Sequence, residues 1–306
     1  MHRGRFSRVR AVAALARVVG LSVGVASCSA LLRADADQCA ATSDCTQKGF
    51  ASSVCSDGMC VQSLATDAGS DGSSDPAWGC VGSISWPPQD DTRQVTTEGR
   101  MLGLFSEAPI VGSTVRACAG IDFLCTRPIA TATTDARGIY SIKVPFAFRG
   151  FLEVTHAAGA SVMPLLLPYT APPVADQAVD AEPVHVPTES ELQGLLQVIG
   201  RELVPEAGHV FGLTVNCQGK PTSGVVLQAA PVLAQSLAFY TDESRLPATT
   251  QTSTSSRGEG GFINLPVGPV TLRYSREAGQ AVGSLTVPVR KGAITAAVLG
   301  PTPLTN

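Results

Sequence analysis

Apolar positions along the chain come in short alternating runs and seldom recur every three to four residues, a texture that predicts strands. After Trp78 the candidate runs are Cys80–Trp86, Gln94–Thr97, Met101–Phe105, Ser113–Cys118, Ile129–Thr133, Ile139–Val144, Phe151–Thr155 and Val162–Leu167, separated by Gly, Pro and Asp. Tyr140, Ile142 and Val144 occupy every second position, so their side chains share one face. Seven or eight short strands in about 100 residues is the count of a β-sandwich. One segment departs from the pattern. Thr188-Glu189-Ser190-Glu191 has the form of a capping box, and Leu192, Leu195, Leu196 and Ile199 follow at helical spacing. This predicts one amphipathic helix, about Glu189–Leu203, packed against a sandwich.

Two stretches match each other. Pro109-Ile110-Val111-Gly112-Ser113-Thr114-Val115-Arg116-Ala117 has the spacing of Pro221-Thr222-Ser223-Gly224-Val225-Val226-Leu227-Gln228-Ala229. Downstream, Thr134-Asp135-Ala136-Arg137-Gly138 leads through Ile142 to Val144-Pro145 and Gly150-Phe151-Leu152-Glu153-Val154. The second copy has Thr254-Ser255-Ser256-Arg257-Gly258, then Phe262 to Pro266 and Gly268 to Leu272. Two copies of one strand order imply two similar domains, the second with an insertion around Ser236 to Thr250. The pattern resembles carboxypeptidase regulatory-like domains of the transthyretin-like sandwich class. Asp135 is expected to accept backbone N–H bonds at a turn, Gly138 to take positive φ, and Tyr140 and Ile142 to point into the core. Ser255 stands where the pattern has Asp, and Gly260-Gly261 adds a residue. The resemblance implies a folding and display module without catalytic residues.

Ahead of these modules, Arg3, Arg5, Arg8 and Arg10 precede an apolar run from Ala11 to Ala26 broken only by Arg17. Its uninterrupted part, Val18 to Ala26, is too short for a hydrocarbon core that needs about 20 apolar residues, so it is expected to be an export signal. Val25-Ala26-Ser27-Cys28 resembles the lipobox of bacterial lipoproteins, which implies acylation of Cys28, and Ser29 after it resembles lipoproteins sent to an outer membrane. An ordinary signal peptide cleaved near Ala26 or Ala30 is the competing expectation. Of 9 cysteines, assigning Cys28 to lipid leaves an even number for disulfides in an oxidising compartment.

Cys39, Cys45, Cys55 and Cys60 fall within a stretch too short to build a hydrophobic core, so cross-links are expected to order it. Their spacing lacks the close pairs of zinc modules, and no metal is expected. The stretch resembles small cysteine-rich modules that follow the lipobox in surface lipoproteins. Three connectivities exist; Cys39 with Cys55 and Cys45 with Cys60 is the preferred one, with Asp57-Gly58 as a hairpin turn. Cys118 and Cys125 bracket a loop short enough to close on itself. That leaves Cys80 and Cys217, whose bond would fix two domains side by side and stabilise by about 4 to 5 kcal/mol in the loop-entropy model. The alternative is a Cys80 bonded within its own domain and a reduced Cys217.

The organisation expected is therefore a signal peptide (1–27), a tether (28–38), a cysteine-rich module (39–62), a linker rich in Asp, Gly and Ser (63–77), a first sandwich (78–187), a helix (188–206) and a second sandwich (207–301). The fold class is all-β. With 44% hydrophobic and only 15% charged residues the chain can bury real cores, and a net charge of −3 with scattered arginines offers nucleic acid no basic footprint. No metalloprotease helix motif or nucleophile elbow occurs, and His2, His156, His185 and His209 are dispersed. Trp78 and Trp86 flank Cys80 as a candidate ligand platform, with sandwich filling as their other role. No enzyme and no cofactor are expected. The functional expectation is an outer-membrane lipoprotein, held by its N-terminal lipid, that displays sandwiches for structural or adhesive contact with surface proteins or polysaccharide. The alternative is a carbohydrate- or peptide-binding accessory of a degradative or uptake system.

Overall fold

The computed structural model describes residues 41, 43–44, 53–56, 59–62, 75–156, 161–178, 183–248 and 250–304. The signal segment, Cys28, Cys39, Cys45, the Asp57-Gly58 turn and nearly all of the linker lie outside them. The chain divides into two compact units, residues 1–65 and 66–306. In the first, β1 (Ser53–Ser56) and β2 (Met59–Gln62) pair antiparallel with Cys55 opposite Cys60; the side chains of these two cysteines are not among those described.

The second unit contains β3 (Asp90–Gly103), β4 (Thr114–Ala119), β5 (Ala130–Thr133), β6 (Ile139–Phe146), β7 (Gly150–Thr155), β8 (Leu165–Pro168) and β9 (Val184–Val186), then helix α1 (Glu189–Val198). It continues with β10 (Gly208–Thr214), β11 (Val225–Ala230), β12 (Leu237–Thr241), β13 (Pro247–Ala248), β14 (Glu259–Leu265), β15 (Gly268–Arg276), β16 (Ala281–Val289) and β17 (Ile294–Leu299). The all-β class is as expected. Gln94–Thr97 and Met101–Phe105 merge into the single long β3. The stretch expected as a strand over Cys80–Trp86 instead begins as successive turns, with Val81 N donating to Trp78 O and Ser83 N to Cys80 O.

The duplication is visible bond by bond. In the first module β3 pairs antiparallel with β6 and parallel with β9, while β7 lies between β4 and β8. In the second, β10 pairs antiparallel with β14 and parallel with β17, while β15 lies between β11 and β16. Asp135 accepts from Arg137 N at 2.8 Å and Ile139 N at 2.9 Å through one carboxylate oxygen. Its pKa falls below the ordinary carboxylate value chiefly because of the Ile139 bond. Gly138 has φ +75, and a Cβ there would meet Met101 O at 2.4 Å; Gly258 has φ +70, and a Cβ there would meet Thr214 O at 2.4 Å. Met101 N donates to Gly138 O as Thr214 N does to Gly258 O, and Gly112 N to Thr134 O as Gly224 N to Thr254 O. Even the hydroxyls correspond: Thr134 Oγ1 accepts from Ser113 N, and Thr254 Oγ1 from Val225 N. Tyr140, Ile142 and Val144 are buried together, as their alternation requires.

The modules are not beads on a string. Strand β17 of the second pairs in parallel with β8 of the first, Ile294 opposite Leu165 and Thr295 opposite Leu166. The result is one nine-stranded sheet in the order β13-β12-β14-β10-β17-β8-β7-β4-β5. Sheet β6-β3-β9 contributes Val95, Met101, Tyr140, Ile142, Val144 and Val186 to a core that also holds Val115, Leu152, Val154 and Leu165 of the large sheet. Leu192 and Leu196 of α1 enter this same core, beside Phe239, Ile263 and Ile294. Sheet β11-β15-β16 closes a second core with Val210, Tyr240, Phe262, Leu265 and Leu299. Neighbouring residues of one strand, such as Phe262 and Ile263, thus serve different cores, and the second module's half of the sheet is apolar on both faces.

Helix α1 begins as its capping box demands: Thr188 Oγ1 accepts from Glu191 N, and the Glu191 carboxylate accepts from Thr188 N at 2.7 Å. It ends short of Leu203, since Gly200 turns the chain at φ +65 and Leu203 N donates to Gln193 Oε1. The insertion expected around Ser236 to Thr250 contains the β12–β13 pair.

Candidate functional site

Where β7 meets the second module, strand alternation places Phe151 and Glu153 on the face opposite Leu152 and Val154. Arg116 and Cys118 of β4 lie beside them, because Arg116 is registered with Glu153 and Cys118 with Phe151. Glu153 is 3% exposed, an extreme burial for a carboxylate. Arg116 binds one of its oxygens and Arg290, the residue after β16, binds the other. The Arg290 guanidinium also donates to Phe123 O, from Nη2 at 2.6 Å and Nε at 3.1 Å, and stands 5.7 Å above the Phe151 ring. Burial of the charge is thus offset by two guanidinium groups.

Phe123 belongs to the loop closed by the Cys118–Cys125 disulfide, Cα–Cα 5.2 Å, which forms as expected. Asp122 accepts from Thr126 N at 3.0 Å and Arg127 N at 2.8 Å, the Arg127 bond first in lowering its pKa. Cys118, Cys125 and Glu153 converge closely enough to suggest a metal cluster. Their donors are committed, the sulfurs to each other and the carboxylate to the arginines, so they do not suit an ion.

The Cys80–Cys217 disulfide also forms, Cα–Cα 5.8 Å, but in a different setting from the one expected. Cys80 lies in a turn on the second module's core. Cys217 N donates to Ala77 O, Gln218 Nε2 to Pro76 O, and Arg276 pairs with Asp75 at 3.2 Å. The bond staples the residues before β3 to the far module, and the union of modules itself comes from β8 and β17. Trp78 is 7% exposed inside the second core, with Arg276 5.8 Å from its ring, and Trp86 is half-buried. Trp78 therefore fills the sandwich and presents no open ring face with Trp86.

Three polar groupings escaped sequence reasoning. Ser113 Oγ lies 2.7 Å from His156 Nδ1, and His156 Nε2 lies 3.1 Å from Met163 O. Because the carbonyl can only accept, Nε2 carries the proton and Nδ1 accepts from the serine. This resembles half of a nucleophile relay, but Ser113 is 1% exposed and, among the described residues, no third side chain orients the ring. His209 is buried at the sheet junction, its Nδ1 accepting from Asn264 N, and burial pushes its pKa down to about 4. Leu213, Pro221, Arg245, Ser256, Arg257 and Glu259 line a shallow recess. Arg257 Nε there is buried without a hydrogen-bond partner, 3.9 Å from Glu259. Among the described residues none of these joins a nucleophile, a base and an open cleft.

No protein-family model matches the chain, and no curated protein matches it either. Among solved structures it is similar to the Bacillus anthracis TIE protein (TM-score 0.23, 10% identity), covering 68% of this chain but only 34% of that one, about a third of its length. It is also similar to the shaft pilin SpaA of Lactobacillus rhamnosus GG (0.22, 10%, 69% of this chain and 99% of that one). GBS52, the minor pilin of Streptococcus agalactiae, scores 0.21 at 14% identity with 69% and 99% coverage. At scores this low the assignment of the β-sandwich fold rests on the sheets described above.

Proposed function

We propose that the chain is a non-catalytic lipoprotein of the bacterial outer membrane, acylated at Cys28, whose two carboxypeptidase regulatory-like sandwiches form a rigid structural or adhesive display unit. The observation that carries this reading is the nine-stranded sheet shared by both modules, with the buried Glu153 paired to an arginine from each module and the Cys80–Cys217 disulfide stapling the residues before β3 to the second one. Such an arrangement stiffens a scaffold, whereas the Ser113 hydroxyl that meets His156 is buried away from substrate. Burial of Trp78 removes half of the platform on which a saccharide-binding role would depend. The test is mass spectrometry of the native N-terminus together with membrane partition of Cys28→Ala. An acylated Cys28 is expected, and a Cys28→Ala variant that a high-salt wash releases from the membrane while the acylated chain stays bound. An unmodified N-terminus elsewhere, or unchanged partition, would overturn the anchor. Hydrolysis of envelope polymers abolished by Ser113→Ala would overturn the non-catalytic role.

A further inference from the structure

Ile121 is 92% exposed and Leu124 72% exposed, which puts two bare aliphatic side chains on the loop closed by Cys118–Cys125; Ile129, just beyond it, is 47% exposed. The loop is held in this form from several directions. Besides the disulfide, Gly120 N donates to Arg149 O at 3.0 Å, Asp122 caps Thr126 N and Arg127 N, and Arg290 grips Phe123 O. A loop that needed only to connect β4 with β5 would lower its free energy by folding these side chains inward; the clamps prevent that.

The surroundings are basic. Arg127 and Arg149 are exposed, and Arg116 and Arg290 keep 33% and 22% of their side chains accessible. Against these four cations stand Asp122, whose carboxylate is occupied by backbone N–H groups, and the buried Glu153. With Arg116 and Arg290 balanced in part by Glu153, the exposed Arg127 and Arg149 remain beside the aliphatic tip, and this combination complements an interface that is apolar below and phosphate-rich above. Two side chains fall far short of the roughly 800 Å² per partner of a specific protein interface, but a bilayer demands no matching shape.

The geometry points to the Cys118–Cys125 loop as a membrane-contact element: Ile121 and Leu124 enter the headgroup region of a bilayer containing acidic phospholipid, and Arg127 and Arg149 meet its phosphates. This contact is independent of acylation at Cys28. The test is flotation of the full chain carrying Cys28→Ala with phosphatidylcholine vesicles, with and without phosphatidylglycerol. The parent floats with the acidic vesicles, and Ile121→Ser/Leu124→Ser lowers its partition coefficient by about tenfold or more. Arg127→Gln/Arg149→Gln removes the preference for phosphatidylglycerol. All four side chains face solvent, so both pairs keep the parent's thermal unfolding. A parent that stays with the soluble fraction, or variants that float as it does, would overturn the proposal. Self-association in sedimentation that Ile121→Ser/Leu124→Ser abolishes, without vesicle binding, would overturn it in favour of a contact between copies.

Discussion

Replacing Arg290 with Met leaves the Glu153 carboxylate inside the protein with one guanidinium in place of two. Glu153 is 3% exposed and cannot recover the lost partner from water. Removing one member of a buried ion pair typically costs about 3 to 5 kcal/mol. Arg116 stays on the other oxygen and is itself one-third accessible, which favours the lower end. The expected loss is therefore about 3 kcal/mol, or roughly 6 to 12 °C in melting temperature for a unit of this size. Because Arg290 follows β16 and Glu153 lies in β7, the loss falls on both modules, and differential scanning calorimetry should show one lowered transition. A double-mutant cycle isolates the pair. Glu153→Leu with Arg290→Met removes both charges, so the double variant should lose about 2 kcal/mol less than the two single losses summed. Additive single losses, or a loss under about 0.5 kcal/mol for Arg290→Met, would refute the coupling. Two separate transitions, only one of them moved, would refute the mechanical union of the modules.

Acid should weaken the fold through His209. Its pKa is about 4 in the folded chain against an ordinary 6.5, so between those values the unfolded state binds a proton that the folded state refuses. Stability then falls as pH drops through that window, by roughly 3 kcal/mol in all, and urea titrations of His209→Gln should show a flatter pH profile. An unchanged profile would exclude His209 as the source. Gly138→Ala and Gly258→Ala each place a Cβ 2.4 Å from a carbonyl oxygen at positive φ, so each should cost about 2 kcal/mol or more by urea unfolding. Neutral behaviour at either site would show that the two turns are not equivalent.

The turn chemistry was legible because it is local. Asp135, Gly138 and the alternation of Tyr140, Ile142 and Val144 carry their own reasons within a few residues, and the second copy repeats them with Ser255 at the turn. Both disulfides outside the small module were legible by elimination and loop length. The β8–β17 junction was not, since it joins Leu165 to Ile294 across the whole second module, and no short-range period specifies which edge meets which. Glu153 was illegible for a related reason. A strand that is buried over four successive residues has no polar face, so alternation gives no sign that the carboxylate lies inside. Cys80–Trp86 reads as the first strand of the nearer sandwich because nearness in sequence is the only guide; the partners of Cys80 and of the neighbouring Trp78, Cys217 and Arg276, lie far along the chain.

Joining two copies of one module edge to edge poses a question of arithmetic: why two, and not an endless row? In the junction, β17 of the second copy meets β8 of the first, and each has a counterpart at the outer side of the pair, β9 and β16. A third module could dock on either if the edge were open. Along β16, Thr302 occupies the place, its hydroxyl accepting from Ser284 N at 3.0 Å and its N–H directed at Val282 O. On the other side β9 is only 3 residues long, and before it Asp176 takes the Thr96 N–H with its side chain while Gln177 bridges Thr97. Each of these two edges is blunted by a different device, which disfavours the addition of another strand there.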